Sequence, residues 1–136
     1  MIRYMLDTNM IAYARNRRPA CVLARLLEHD PSEISISSIT MAELEYGVCN
    51  SSKPQQNRVA LLLFLSGITI LPFESSASLE YGSIRFHLKT HGIIIGGNDL
   101  LIAAHARSLG LTLVTHNTKE FSRVENLSIE DWAIRR

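Results

Sequence analysis

Short apolar runs that stop on polar or acidic residues recur along this chain, separated by longer stretches in which apolar residues return every three or four positions. The first run, Tyr4-Met5-Leu6, ends on Asp7-Thr8-Asn9, and a helix-like segment follows from Met10. A short apolar run bounded by polar residues reads as a strand buried on both faces, which puts Asp7 at its carboxyl end. Residues 33–37, Glu-Ile-Ser-Ile-Ser, alternate with period two, the pattern of a half-buried strand. Residues 68–71 and 111–115 read as third and fourth strands, and 127–129 as a last edge strand before Trp132.

Between these runs the sequence predicts helices over residues 10–16, 19–29, 40–48, 55–66, 75–90 and 98–109, with a brief turn or helix at 117–121. Pro19 suits a first helical turn, and Gly67, Gly92 and Gly110 suit helix ends. The 55–66 helix carries Val59, Leu62, Leu63 and Leu65 as its apolar set. The 75–90 helix places Leu79, Ile84 and Leu88 with Ala77 and Tyr81 near one face. Strand and helix alternate throughout, so the expected architecture is one α/β domain, residues 1–136, with a central, mainly parallel sheet of four to five strands between helical layers.

Composition changes this picture little. Apolar residues make up 46% and charged residues 20% of the chain, which excludes a disordered or fibrous class. No apolar run approaches the roughly 18 residues of a membrane span, and the first residues lack signal-peptide sections, so a cytoplasmic protein without membrane contact is expected. Cys21 and Cys49 have no C-x-x-C partner, which argues for reduced thiols. The net charge of +1 says little about partners, because clustered acids and dispersed arginines nearly cancel.

Candidate chemistry lies where apolar strands give way to helices. Asp7, Glu43 and Asp99 come from three such transitions, and in a parallel sheet these share one edge, where open α/β sheets bind ligands. Three carboxylates drawn together without a counter-ion would push at least one pKa upward, and a hard cation such as magnesium or manganese removes that cost. The competing reading is helix capping. Thr40-Met41-Ala42-Glu43 fits a capping box, Asn117-Thr118-Lys119-Glu120 has similar spacing, and Asn98 or Asp99 could satisfy first-turn amides. Capping does not account for Asp7, which has Thr8 or Asn9 directly behind it as an equally good cap. Arg15, Arg17 and Arg18, close after Asp7, are the best phosphate candidates, although solvated charge is the commoner meaning of such runs. His87 and His91 stand four apart but have no third ligand in register, so zinc is discounted. His116 neighbours Asn117 at the expected edge. No P-loop, G-x-S-x-G or G-x-G-x-x-G occurs.

Residues 5–9 (MLDTN), 39–47 (ITMAELEYG), 95–121 (IGGNDLLIAAHARSLGLTLVTHNTKEF) and 130–132 (EDW) together resemble the PIN-domain family, and within it the VapC toxins of toxin–antitoxin pairs. The resemblance covers essentially the whole chain in order. It implies a magnesium-dependent endoribonuclease, with manganese able to substitute, whose metal is surrounded by Asp7, Glu43 and Asp99. Asn9, Asn117 and Glu120 would be auxiliary; many PIN domains carry Asp where this chain has Asn117. The resemblance also implies cleavage of initiator tRNA in the anticodon stem-loop, a small VapB-type antitoxin as partner, and a homodimer within a larger toxin–antitoxin complex. Two rival classes stay open. A nucleic-acid-binding partner without nuclease chemistry would need a helix-turn-helix or basic stripe, neither of which is visible. A haloacid-dehalogenase-like phosphatase would need a second Asp where Asn9 stands.

Overall fold

A computed structural model describes residues 1–135. The strands are β1 (Tyr4–Leu6), β2 (Ile34–Ser37), β3 (Thr69–Leu71), β4 (Thr112–Val114) and β5 (Ile129–Glu130). The helices are α1 (Thr8–Asn16), α2 (Ala20–Leu27), α3 (Ser38–Cys49), α4 (Pro54–Phe64), α5 (Ser75–Thr90), α6 (Gly97–Ser108) and α7 (Thr118–Phe121). The strands form one sheet in the order β3-β2-β1-β4-β5, and every neighbouring pair is parallel. Tyr4 pairs with Ile34 on one side and Thr112 on the other, so β1 is the central strand. All five carboxyl ends therefore lie along a single edge.

Pleating sends alternate side chains of β1 to opposite faces. Tyr4 and Leu6 join a core with Met10, Ile11, Val22, Ile36, Leu61 and Trp132, while Met5 joins a second core with Ile84, Leu88, Leu100, Ile102, Leu113 and Phe121. Helices α1–α4 supply the first layer and α5 and α6 the second, which is the three-layer arrangement the alternation predicts. Among the described residues no helix is long and apolar enough to cross a membrane.

Local departures from the sequence reading have definite causes. β2 is buried at all four positions, because Ser35 Oγ donates to the Tyr4 carbonyl at 2.8 Å and Ser37 caps α3 by accepting from the Ile39 N–H at 3.0 Å. With α3 starting at Ser38, Thr40 is already inside the helix and no capping box joins it to Glu43. A capping box does form at the 3₁₀ turn Pro31–Glu33, between Asp30 and Glu33. α2 begins after Pro19 rather than on it and stops at Leu27. On α5, Ala77, Ile84 and Leu88 are buried but Leu79 is exposed, since two residues from Ala77 is about 200° around a helix. On α4 the same geometry buries Leu61 and leaves Val59, Leu62 and Leu63 exposed, while Leu65, just past its end, is buried.

Candidate active site

Asp7 is placed by the end of β1, where its N–H donates to the Val114 carbonyl at 3.1 Å. It is also the N-cap of α1: its backbone is extended (φ −78°, ψ 173°), and Oδ1 accepts from the Met10 N–H at 2.9 Å. The expectation that capping leaves Asp7 unexplained is thus corrected. Thr8 and Asn9 are already helical, so neither can serve as the cap. The cap bond engages Oδ1, and Thr115, whose Oγ1 accepts from the Asn117 N–H at 3.0 Å, also hydrogen-bonds the Asp7 carboxylate. Burial nevertheless outweighs these bonds, with Glu43 and Asp131 adding repulsion, and holds the Asp7 pKa above the usual carboxylate range.

Glu43, midway along α3, is fixed by two donors: Thr8 Oγ1 to Oε1 at 2.5 Å and Asn98 Nδ2 to Oε2 at 3.3 Å. Asp99 lies in the first turn of α6. The helix is capped by Gly96, two to three residues earlier than the sequence suggests, and neither Asn98 nor Asp99 is its cap. Half-buried Asp99 has its pKa pushed up to about 6, first by desolvation and then by Glu120, Asp7 and Glu43. Glu120 of α7 accepts from the Gly96 N–H at 3.2 Å and, through Oε2, from Asn117 Nδ2 at 2.5 Å. Asn117 precedes α7 but makes no side-chain cap bond; it orients Glu120 instead.

Asp7, Glu43, Asp99 and Glu120 therefore share one electrostatic neighbourhood at the carboxyl edge of the sheet. Among the described residues none of them has an ion-pair partner, and no three His, Cys, Asp or Glu side chains stand close enough together to chelate a metal on their own. That donor set fits a hard divalent cation of the magnesium kind. Its ligands would all be oxygens, the negative field is unneutralised, and such an ion uses one or two carboxylates with waters and substrate phosphate rather than a protein cage.

Asn9 is exposed on the first turn of α1. Arg15 is half-buried and lines a hollow together with Thr8 and Glu43, whereas Arg17, which ends α1 at φ 58°, and Arg18 are exposed. His116 faces Asp131, Nδ1 to Oδ2 at 2.8 Å. The His87 and His91 rings lie against each other, 4.3 Å apart, and His87 Nε2 stands 3.5 Å from Glu125 Oε1, but among the described residues no such group of three could hold a metal. Thr8, Asn98 and Thr115 were missed by sequence reasoning. Each is a hydroxyl or amide beside an expected site residue or ending its strand, and that adjacency was the available signal.

The PIN domain pattern matches residues 4–127, and the chain belongs to this family, within its VapC branch. It is 48% identical over 130 residues to Ribonuclease VapC2 of Rickettsia felis, covering 95% of this chain and 97% of that one. Against the tRNA(fMet)-specific endonuclease VapC of Shigella flexneri it is 40% identical over 133 residues, covering 98% and 100%. The crystal structure of DNA-bound VapBC from Salmonella typhimurium superposes with a TM-score of 0.91 at 37% identity, over 97% of this chain and 99% of that one.

Proposed function

We propose that this protein is the toxin of a VapB–VapC pair, an endoribonuclease that hydrolyses RNA phosphodiester bonds with a divalent cation, magnesium or manganese, at Asp7, Glu43 and Asp99. The observation that carries this reading is the convergence of acidic side chains on one edge, none of them ion-paired among the described residues. When bound there, such an ion supplies Lewis-acid polarisation of a phosphate oxygen and a water acidic enough to attack near neutral pH. The rest falls to the chain. The α1 amide and Thr115 fix the Asp7 carboxylate in direction, Thr8 and Asn98 do the same for Glu43, and Asn117 and the Gly96 amide hold Glu120 toward Asp99. Asp99, with a pKa of about 6, is largely ionised at neutral pH and binds the cation in that form.

The tRNA(fMet) named for the Shigella relative is the substrate we assign, cut in a single-stranded loop where an edge-on pocket can reach the backbone. A VapB-type antitoxin is the partner, the active unit is a homodimer, and both work in the cytoplasm. An apolar groove of about 430 Å³, lined by Leu23, Leu26, Leu27, Phe64 and Ile68, suits a partner helix. An antitoxin arginine among the carboxylates would supply the missing cation and block the metal.

The test is cleavage of a tRNA(fMet) stem-loop across a magnesium titration, alongside a generic phosphate monoester. RNA cleavage that chelator abolishes and magnesium or manganese restores supports the reading. Hydrolysis of the monoester with intact RNA would replace it with a phosphatase.

A further inference from the structure

A cavity of about 440 Å³ opens beside the carboxylates, between α1, α3 and α4, and is lined by Thr8, Arg15, Asn16, Glu43, Leu44, Gly47, Val48 and Asn57. Thr8 and Glu43 belong both to this cavity and to the active site, where they hydrogen-bond each other. The remaining polar lining is idle. Among the described residues the side chains of Arg15, Asn16 and Asn57 have no hydrogen-bond or ion-pair partner, although Arg15 and Asn57 are half-buried. Their donors and acceptors are therefore open toward the cavity and free to bond a ligand there. Leu44 and Val48, both buried, give the same cavity an apolar wall.

An apolar wall facing amide and guanidinium groups matches an unstacked nucleobase, which has apolar faces and a rim of donors and acceptors. We infer that this cavity receives the base of a nucleotide next to the cleaved phosphate, with Asn57 and Asn16 reading its polar edge and Arg15 bonding its carbonyl oxygen or the adjoining phosphate. The inference rests on the ribonuclease reading above and adds to it where sequence preference originates. Phosphate contacts hold RNA in register without reading its sequence, whereas side chains paired to base edges read it. An amide that makes two bonds to one base edge favours that base by about tenfold or more.

The experiment is digestion of stem-loop RNAs with a randomised loop, followed by sequencing of the 5′ ends of the products. Wild-type protein, Asn57→Ala, Asn57→Asp and Arg15→Ala are compared, with Asp99→Asn as the inactive control. Wild type is expected to show a base preference of about tenfold at one position flanking the cut. Asn57→Ala is expected to flatten that preference while still cutting, and Asn57→Asp, which keeps the shape and exchanges donor for acceptor, to shift it toward a different base. A preference and rate that all three cavity variants leave unchanged overturn the subsite, and so does a change confined to inhibition by an antitoxin. Wild type that cuts no RNA in the pool overturns the ribonuclease reading itself, and the base subsite falls with it.

Discussion

Two sets of carboxylates in this protein have opposite surroundings. Glu33, Glu45 and Glu80 each meet an arginine, Arg3 at 3.1 Å, Arg58 at 2.9 Å and Arg107 at 2.5 Å. Asp7, Glu43, Asp99 and Glu120 meet amides, hydroxyls and one another. The difference shows in proton affinity: the Arg3 hydrogen bond holds the Glu33 pKa below its usual value, whereas desolvation and neighbouring acids raise that of Asp99. Glu43 and Glu45 make the point on a single helix. Two positions apart, they face different sides of α3, and the guanidinium of Arg58 serves Glu45 and not Glu43. Pairing completes a local structure, whereas leaving acids unpaired keeps a place for a positive charge from outside.

The sharpest way to break this contrast is to remove charge from the unpaired set. Asp99→Asn should lower RNA cleavage at least about 100-fold, the scale of losing an electrostatic stabiliser of the transition state, with an unchanged circular dichroism spectrum. Asp7→Asn should do the same, because an amide oxygen still caps α1. Glu43→Gln removes a charge from the same cation site and should cost about 100-fold, with little change in melting temperature, because the amide still has an oxygen for Thr8.

A third test uses pH. The folded-state pKa of Asp99, about 6, lies above its ordinary 3.8, so this group's contribution to stability is fully present below the unfolded value and is lost as pH rises through about 6. His105 pulls the other way, since burial lowers its pKa and acid then destabilises the fold. Asp99→Asn isolates the first effect. In chelator it should melt higher than wild type at pH 7.5, with the gain vanishing by about pH 4. Magnesium should then stabilise wild type at pH 7.5 and leave the variant unmoved. The smallest effect belongs to the paired set: Glu80→Gln should cost no more than about 1 kcal/mol by thermal melts, with cleavage unchanged.

Much of this was legible in the sequence because it depends on periodicity and boundaries. β1, the α5 limits and the alternation of strands with helices follow from where apolar runs stop, and the position of Asp7, Glu43 and Asp99 on one edge follows from parallel topology. What periodicity leaves open is rotation and the first turn. Leu79 and Leu63 fit an apolar helix but fall on its outer side. Thr40 looks like a cap until the backbone shows Ser37 starting the helix, and Asp7 looks like a poor one until Thr8 proves already helical. The partners that aim the acids, such as Thr8 toward Glu43 and Asn117 toward Glu120, depend on side-chain directions that no spacing encodes.

The central place of β1 also governs when the enzyme can come into being. A nascent chain emerges amino end first, so Asp7 is made well before Glu120. β1 finds β2 early, through Tyr4 and Ile34, but its other edge stays open until Thr112 arrives. Before that, the Asp7 N–H lacks the Val114 carbonyl and its carboxylate lacks Thr115. A chain that stops before β4 thus lacks the strand, the Val114 carbonyl and the Thr115 hydroxyl that hold Asp7 in place.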